Sequence, residues 1–180
     1  MKKIEVRISG LGGQGVVLAG QTLGRAAVYN GNNVVQTQSY GAEARGSTAK
    51  SEVIISDARI GFPVIRKCDI LVAMSQEAVE KNIKDLKEDG ILVIDSSTVK
   101  NAPKIRAKIL EIPATQIAEK TFREKIYANM VMLGVLTRLI GILDESMEKA
   151  IMDTVPEKVL SANLQAYKKG KELIGKNTSS

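Results

Sequence analysis

Gly10-Leu11-Gly12-Gly13-Gln14-Gly15 is the stretch whose residue types and spacing could do chemistry. Gly10, Gly12 and Gly15 match a G-x-G-x-x-G spacing, in which the glycines allow a tight turn, close approach of a phosphate to the backbone, and close packing of helix on strand. The N-H groups at the start of the following helix would point at an anion, so Gly13 and Gln14 join the candidate ligand-binding set. The same six residues fit the first half of a P-loop, but Val16 and Val17 stand where Lys and Ser/Thr are required. That excludes an ATPase of the P-loop kind.

A second candidate is Ser39-Tyr40-Gly41-Ala42-Glu43-Ala44-Arg45-Gly46-Ser47-Thr48, which has no sustained period and reads as a loop. If the sheet is parallel, this loop leaves the C-terminal end of the second strand and lies on the same rim as the glycine turn. Tyr40, Glu43, Arg45, Gly46 and Ser47 then become candidate ligand contacts, with Arg45 suited to a phosphate. The alternative is that Glu43 and Arg45 brace a long surface loop. Further polar groups, Ser75 and Asp95-Ser96-Ser97-Thr98, also fall at strand ends, which reads as a site pattern. Ser75 has in addition a structural reading as a helix cap.

What the chain lacks restricts the chemistry further. It has no histidine, which removes the usual general base, the Ser-His and Cys-His arrangements and His-containing zinc sites. Cys68 stands alone, so the chain can hold neither a Cys-ligated iron-sulfur cluster nor an internal disulfide. No metal site is expected. The net charge of +6 favours acidic ligands or partners, but the basic residues are spread out and two Phe, four Tyr and no Trp give little platform for bases. Nucleic acid is not expected as a partner. The N-terminus has no targeting pattern and no apolar run reaches membrane-span length, so no membrane is expected and the cytoplasm is the expected compartment.

The elements that must position these residues follow from periodicity. Ile4, Val6 and Ile8 form a strand leading into the turn, and a helix follows to about Asn30-Gly31-Asn32. A second strand runs from Val34 toward Gln38. Its end offers Gln36, Thr37, Gln38 and Ser39 where a nicotinamide-cofactor site would place an acid for the ribose. Lys50 to Asp57 reads as a third strand, parallel or antiparallel, buried on both faces in its second half. Cys68 to Met74 is a buried strand with Cys68 packed at its start. Ser75 caps a helix over Gln76 to Leu86, and Asp89-Gly90 turns into the strand Ile91 to Asp95. An edge strand is expected between Lys104 and Pro113. Thr121-Phe122-Arg123-Glu124 has capping-box spacing ahead of a long helix from Lys125 to Leu143, within which Gly134 marks close backbone packing. Asp144 to Met152 and Glu157 to about Gly175 complete the helices. The fold class is α/β, a single Rossmann-like, mostly parallel sheet flanked by helices, with C-terminal helices. It forms one domain over 1–176, and 177–180 is a disordered tail.

The glycine turn, the run Tyr40-Gly41-Ala42-Glu43-Ala44-Arg45-Gly46, the segment Ala73-Met74-Ser75-Gln76-Glu77-Ala78 and Asn129-Met130-Val131-Met132-Leu133-Gly134 together resemble the gamma subunit of the 2-oxoacid:ferredoxin oxidoreductases. The likeness covers nearly the whole chain. The Tyr-Gly-x-Glu-Ala-Arg-Gly form is similar to that of the 2-oxoglutarate enzymes, whereas pyruvate enzymes more often carry a second arginine where this chain has Ala44. The pyruvate and ketoisovalerate types stay open, and an indolepyruvate-type enzyme uses a related subunit.

The resemblance implies a subunit of a complex that decarboxylates a 2-oxoacid oxidatively, forming acyl-CoA and CO2 and reducing ferredoxin. Thiamine diphosphate and iron-sulfur clusters would sit on partner alpha and beta subunits, with or without delta. No catalytic residue is expected here. Coenzyme A would approach Gly10, Gly12, Gly13, Gln14 and Gly15 beside Tyr40, Glu43, Arg45, Gly46 and Ser47. Two alternatives remain: a docking subunit without a ligand role, or a stand-alone dinucleotide-binding protein. The isolated chain could be a monomer or a homodimer.

Overall fold

In the computed structural model, which describes residues 2–41 and 47–175, the alternation Val6, Ile8 against Glu5, Arg7, Ser9 sorts β1 (Lys3–Leu11) into an apolar and a polar face. The turn after β1 leads to α1 (Val16–Tyr29), then β2 (Asn33–Tyr40), β3 (Thr48–Ser56), β4 (Cys68–Ala73) and α2 (Gln76–Asn82). β5 (Leu86–Asp95), β6 (Lys108–Ile112), α3 (Ala114–Phe122), α4 (Ala128–Ile140), α5 (Asp144–Thr154) and α6 (Glu157–Gly175) complete the order. The sheet runs β2-β3-β1-β4-β5-β6. β3 pairs antiparallel with both β1 and β2, and the pairings from β1 through β6 are parallel.

The mixed sheet thus keeps five strands in one direction, with β3 inserted against them between β1 and β2. β3 is buried on both faces at Val53, Ile54 and Ile55, as its composition predicts. The larger core cluster joins Val6, Ile8, Val53 and Val72 to α1, α4, α5 and α6. The smaller one, on the opposite face, gathers Leu71, Ala73, Leu92 and Ile94 under α2 and the segments around Ile65 and Val99. No helix among the described residues is long and apolar enough to cross a membrane.

Gly134 behaves as its sequence position suggests. A Cβ there would collide with the Tyr167 carbonyl oxygen and approach Lys171 N to 2.7 Å, so its absence lets α4 lie directly on α6. Gly170 answers it from the other helix, facing the Val131 carbonyl.

Several local expectations are corrected. The helix after Ser75 ends at Asn82, passes through a 3-10 turn over Ile83–Asp85, and Leu86 already belongs to β5. Asp89-Gly90 lies within β5, at a bulge where the pairing shifts from Cys68↔Leu86 to Ile70↔Ile91. The edge strand is shorter than Lys104 to Pro113. The capping box fails because Thr121 and Phe122 close α3, Arg123 is its left-handed cap at φ 66°, and α4 starts only at Ala128 after a 3-10 turn. The tail from 177 on lies outside the described residues.

Candidate functional site

The glycine turn is built by its own side chain. Gln14 Oε1 accepts from Leu11 N at 2.6 Å while its Nε2 donates to the Met74 carbonyl at 2.7 Å, tying the turn to the end of β4. Gly10 leaves room for this amide, since a Cβ there would stand 2.5 Å from Gln14 Oε1 and 3.1 Å from Met74 Cβ. Gly13 and Gly15 have φ of 89° and 71°, left-handed values that favour glycine. Gly15 is the residue preceding α1, and among the described residues no side chain caps that helix, so its first N-H groups are open to another acceptor. Gly12 and Gly13 are exposed at the mouth.

The expected shared rim is present, by a route different from the parallel pairing that suggested it. β2 and β3 form a hairpin whose mouth opens at the end of β1, where Leu11 stands opposite Thr48. Gly12 N donates to the Ser47 carbonyl at 2.8 Å and Gly41 N to the Thr48 carbonyl at 2.8 Å. Tyr40 is 62% exposed on this rim. The structure therefore brings together Gly10, Gly12, Gly13, Gln14, Gly15, Tyr40 and Ser47. Glu43, Arg45 and Gly46 lie outside the described residues.

The polar strand ends, in contrast, are largely consumed by helix capping. Ser75 Oγ accepts from Ala78 N at 3.1 Å, as expected of a cap. Asp95 is fully buried and accepts from Thr115 N and Oγ1 and from Ser97 N, while Ser97 Oγ accepts from Gln116 N. These groups start α3, so the site pattern read into Asp95 to Thr98 is corrected: they hold the fold.

Three groups emerge that sequence reasoning missed. Asn129, 1% exposed in the first turn of α4, packs on Gly15, and its Nδ2 donates to the Gly15 carbonyl at 3.3 Å. Among the described residues its buried Oδ1 has no hydrogen-bond partner. Buried acceptors are normally satisfied, so this atom is costly beside the turn. The signal was available, because Asn129 is a polar residue inside an otherwise apolar run.

Arg7 sits 3% exposed in mid-strand and bridges Glu52 at 2.7 Å and Asp85 at 2.6 Å. Burial opposes its charge, but Asp85 and Glu52 outweigh that and raise its pKa above the ordinary value. Asn82 continues the network by donating to Ser9 Oγ at 3.1 Å. Ser9 and Asn82 reach the wall of a pocket of about 220 Å³, shared with Tyr40, Thr48, Lys50 and Lys81, beside the hairpin mouth. Lys50 lies 3.6 Å from Glu52 and Lys81 2.5 Å from Glu77.

Cys68 is fully buried at the start of β4, and burial pushes its thiol up to about 11, so it is inert packing. The nicotinamide-cofactor alternative is weakened by topology as well as by composition. The strand that follows α1 is the sheet edge, separated from β1 by antiparallel β3, so the usual ribose-binding position next to β1 does not form.

The sequence profile of the pyruvate ferredoxin/flavodoxin oxidoreductase family matches residues 5–173. A 2-oxoglutarate synthase subunit KorC from Methanocaldococcus jannaschii is 50% identical over 173 residues, covering 94% of this chain and 92% of its own. The solved gamma subunit of a keto/oxoacid ferredoxin oxidoreductase from Geobacter sulfurreducens is 42% identical, with a TM-score of 0.83 over 94% of this chain and 96% of that one. A 2-oxoglutarate:ferredoxin oxidoreductase from Magnetococcus marinus, solved with 2-oxoglutarate, coenzyme A and succinyl-CoA bound, is 27% identical with a TM-score of 0.90. All of this chain is covered there, by 32% of a longer chain. Sequence match and fold agree from end to end, and the chain belongs to the pyruvate ferredoxin/flavodoxin oxidoreductase family, as a gamma-type subunit of an oxidoreductase complex.

Proposed function

We propose that this chain serves a 2-oxoglutarate:ferredoxin oxidoreductase by forming the wall along which coenzyme A reaches the catalytic subunits. The observation that carries the reading is the joining of the two motifs at one rim, with Gly12 N donating to the Ser47 carbonyl at 2.8 Å. The relatives named for 2-oxoglutarate support the substrate, and the coenzyme A in the Magnetococcus marinus structure supports the ligand class. The start of α1, uncapped by any described side chain, suits a phosphate.

Iron-sulfur clusters do not fit this chain, since one buried cysteine and no histidine supply no cluster ligands. In this reading the clusters and thiamine diphosphate are held by partner alpha and beta subunits, with or without delta. The role of this chain is to hold its rim rigid against them and to orient the thioester-forming ligand. Hydrogen exchange on the assembled complex tests this: coenzyme A should slow exchange in 10–16 and 39–48, and unchanged exchange in both stretches refutes it.

A second reading, favoured by the exposure of Tyr40 at the rim, makes the same surface a docking face for the large subunits. Charge reversal at Arg45 separates the two. Docking predicts loss of the complex, whereas the ligand role predicts an intact complex that requires more coenzyme A.

A further inference from the structure

At the opposite end of the sheet from the glycine turn, roughly 26 Å away at about 3.3 Å per strand residue, the connection from β3 to β4 exposes two apolar side chains. Phe62 is 56% and Val64 52% exposed, while Ile65 between them and β4 is 5% exposed. The segment is pinned rather than loose. Ile65 and Ile60 pack into the smaller core cluster, and buried Arg7 donates to the Ile65 carbonyl at 3.4 Å. Phe62 and Val64 are therefore held outward by a scaffold that already buries their neighbours.

Cations surround this apolar pair. Lys3, Arg66, Lys67 and Lys87 line, with Phe62 and Val64, a surface concavity of about 460 Å³, against a single carboxylate in its wall, Glu5. Glu5 is taken by Lys3 at 2.9 Å and Lys87 at 3.2 Å, and Lys87 also holds Asp69 at 2.7 Å. Arg66 lies over the Phe62 ring at 5.6 Å, and Lys67 donates to the Lys84 carbonyl. Among the described residues neither Arg66 nor Lys67 has a carboxylate partner. An exposed aromatic and a branched aliphatic side chain beside two cations without counter-charges is the composition of an interface core with a charged rim.

We propose that this concavity is a docking site for an acidic protein segment that carries an apolar side chain between carboxylates. The apolar side chain enters between Phe62 and Val64, and the flanking carboxylates pair with Arg66 and Lys67. Charge sets the choice of partner: among the described residues the groups without a carboxylate partner are the cations Arg66 and Lys67, while the lining carboxylate, Glu5, is already taken by Lys3 and Lys87. The site is separate from the glycine rim and independent of the role proposed for it.

Fluorescence anisotropy of the full chain with a labelled peptide Glu-Asp-Phe-Glu-Asp at low salt tests the proposal. Saturable binding is expected, weakened about tenfold in Arg66→Glu/Lys67→Glu and severalfold in Phe62→Ser, with Lys168→Glu unchanged. Arg66→Gln/Lys67→Gln, which removes charge without reversing it, should weaken binding to an intermediate degree, and thermal melting of each variant checks that the fold persists. Absence of saturable binding overturns the proposal. So does equal binding by the Arg66→Glu/Lys67→Glu variant, equal binding of a peptide with Ser in place of Phe, or tighter binding of single-stranded DNA of the same charge.

Discussion

Replacing Gly15 by alanine perturbs the turn at the point where backbone conformation and packing coincide. Its φ of 71° costs a side-chain-bearing residue about 1–2 kcal/mol. The new Cβ would also collide with Asn129 Nδ2 and stand 3.1 Å from its Cγ, forcing that buried amide aside. Losing the bond from Nδ2 to the Gly15 carbonyl adds about 0.5–1.5 kcal/mol, for a total of about 2–3 kcal/mol. Asn129→Ala alone gives up the same bond but removes the orphan Oδ1 acceptor, so its cost should stay below about 1 kcal/mol. In Gly15→Ala/Asn129→Ala the collision is gone and the bond, lost in each single variant, is lost only once, giving a coupling of about 1 kcal/mol. Urea unfolding of the four species measures the cycle. Additivity to within about 0.3 kcal/mol would refute the packing argument. The same variants, assembled into the complex, report on ligand binding: Asn129→Ala should raise the coenzyme A requirement although it barely alters stability.

The remaining predictions concern the supports of the site. Arg7→Ala deprives Glu52 and partly exposed Asp85 of their shared buried cation, and chemical denaturation should show a loss of about 2–3 kcal/mol, below the range for a fully buried pair because water reaches Asp85; a change under about 1 kcal/mol would mean that solvent already screens both carboxylates. Gly134→Ala gains about 1 kcal/mol of helix propensity, but its Cβ meets the backbone of α6, so a net loss of about 1–3 kcal/mol in thermal or urea unfolding is expected. Cys68 should resist thiol reagents at pH 8 in the folded chain and react on unfolding. Because its folded pKa is raised to about 11 from 9.0, its contribution to stability is complete below pH 9 and falls as the pH rises toward 11. Comparison with Cys68→Ala across that window isolates the effect, and parallel pH profiles for the two proteins would contradict it.

Local sequence determined the elements whose causes are local. The alternation in β1, the glycine turn into α1, the Ser75 cap, the buried run of β4 and the close approach marked by Gly134 are all legible because neighbouring residues suffice to produce them. α3 was illegible: Thr121 to Glu124 imitates a helix start, while the groups that begin α3 are Asp95 and Ser97, distant in sequence at the end of β5. The spacing of Asp89-Gly90 likewise imitates a turn, but pairing with β4 absorbs it as a bulge.

The candidate site divides in the same way. Its residues, Gly10 to Gly15 with Tyr40 and Ser47, can be named from sequence because glycine is what left-handed backbone and close approach require. Their meeting was decided by tertiary structure, because it depends on antiparallel β3 carrying the hairpin mouth to the end of β1, a pairing that alternation alone leaves open. Asn129 shows in the sequence only as a polar residue in an apolar run, and its partner is decided by the fold. Its place in a helix says nothing of Gly15, and only the packing of α4 on the turn turns a buried amide into part of the site.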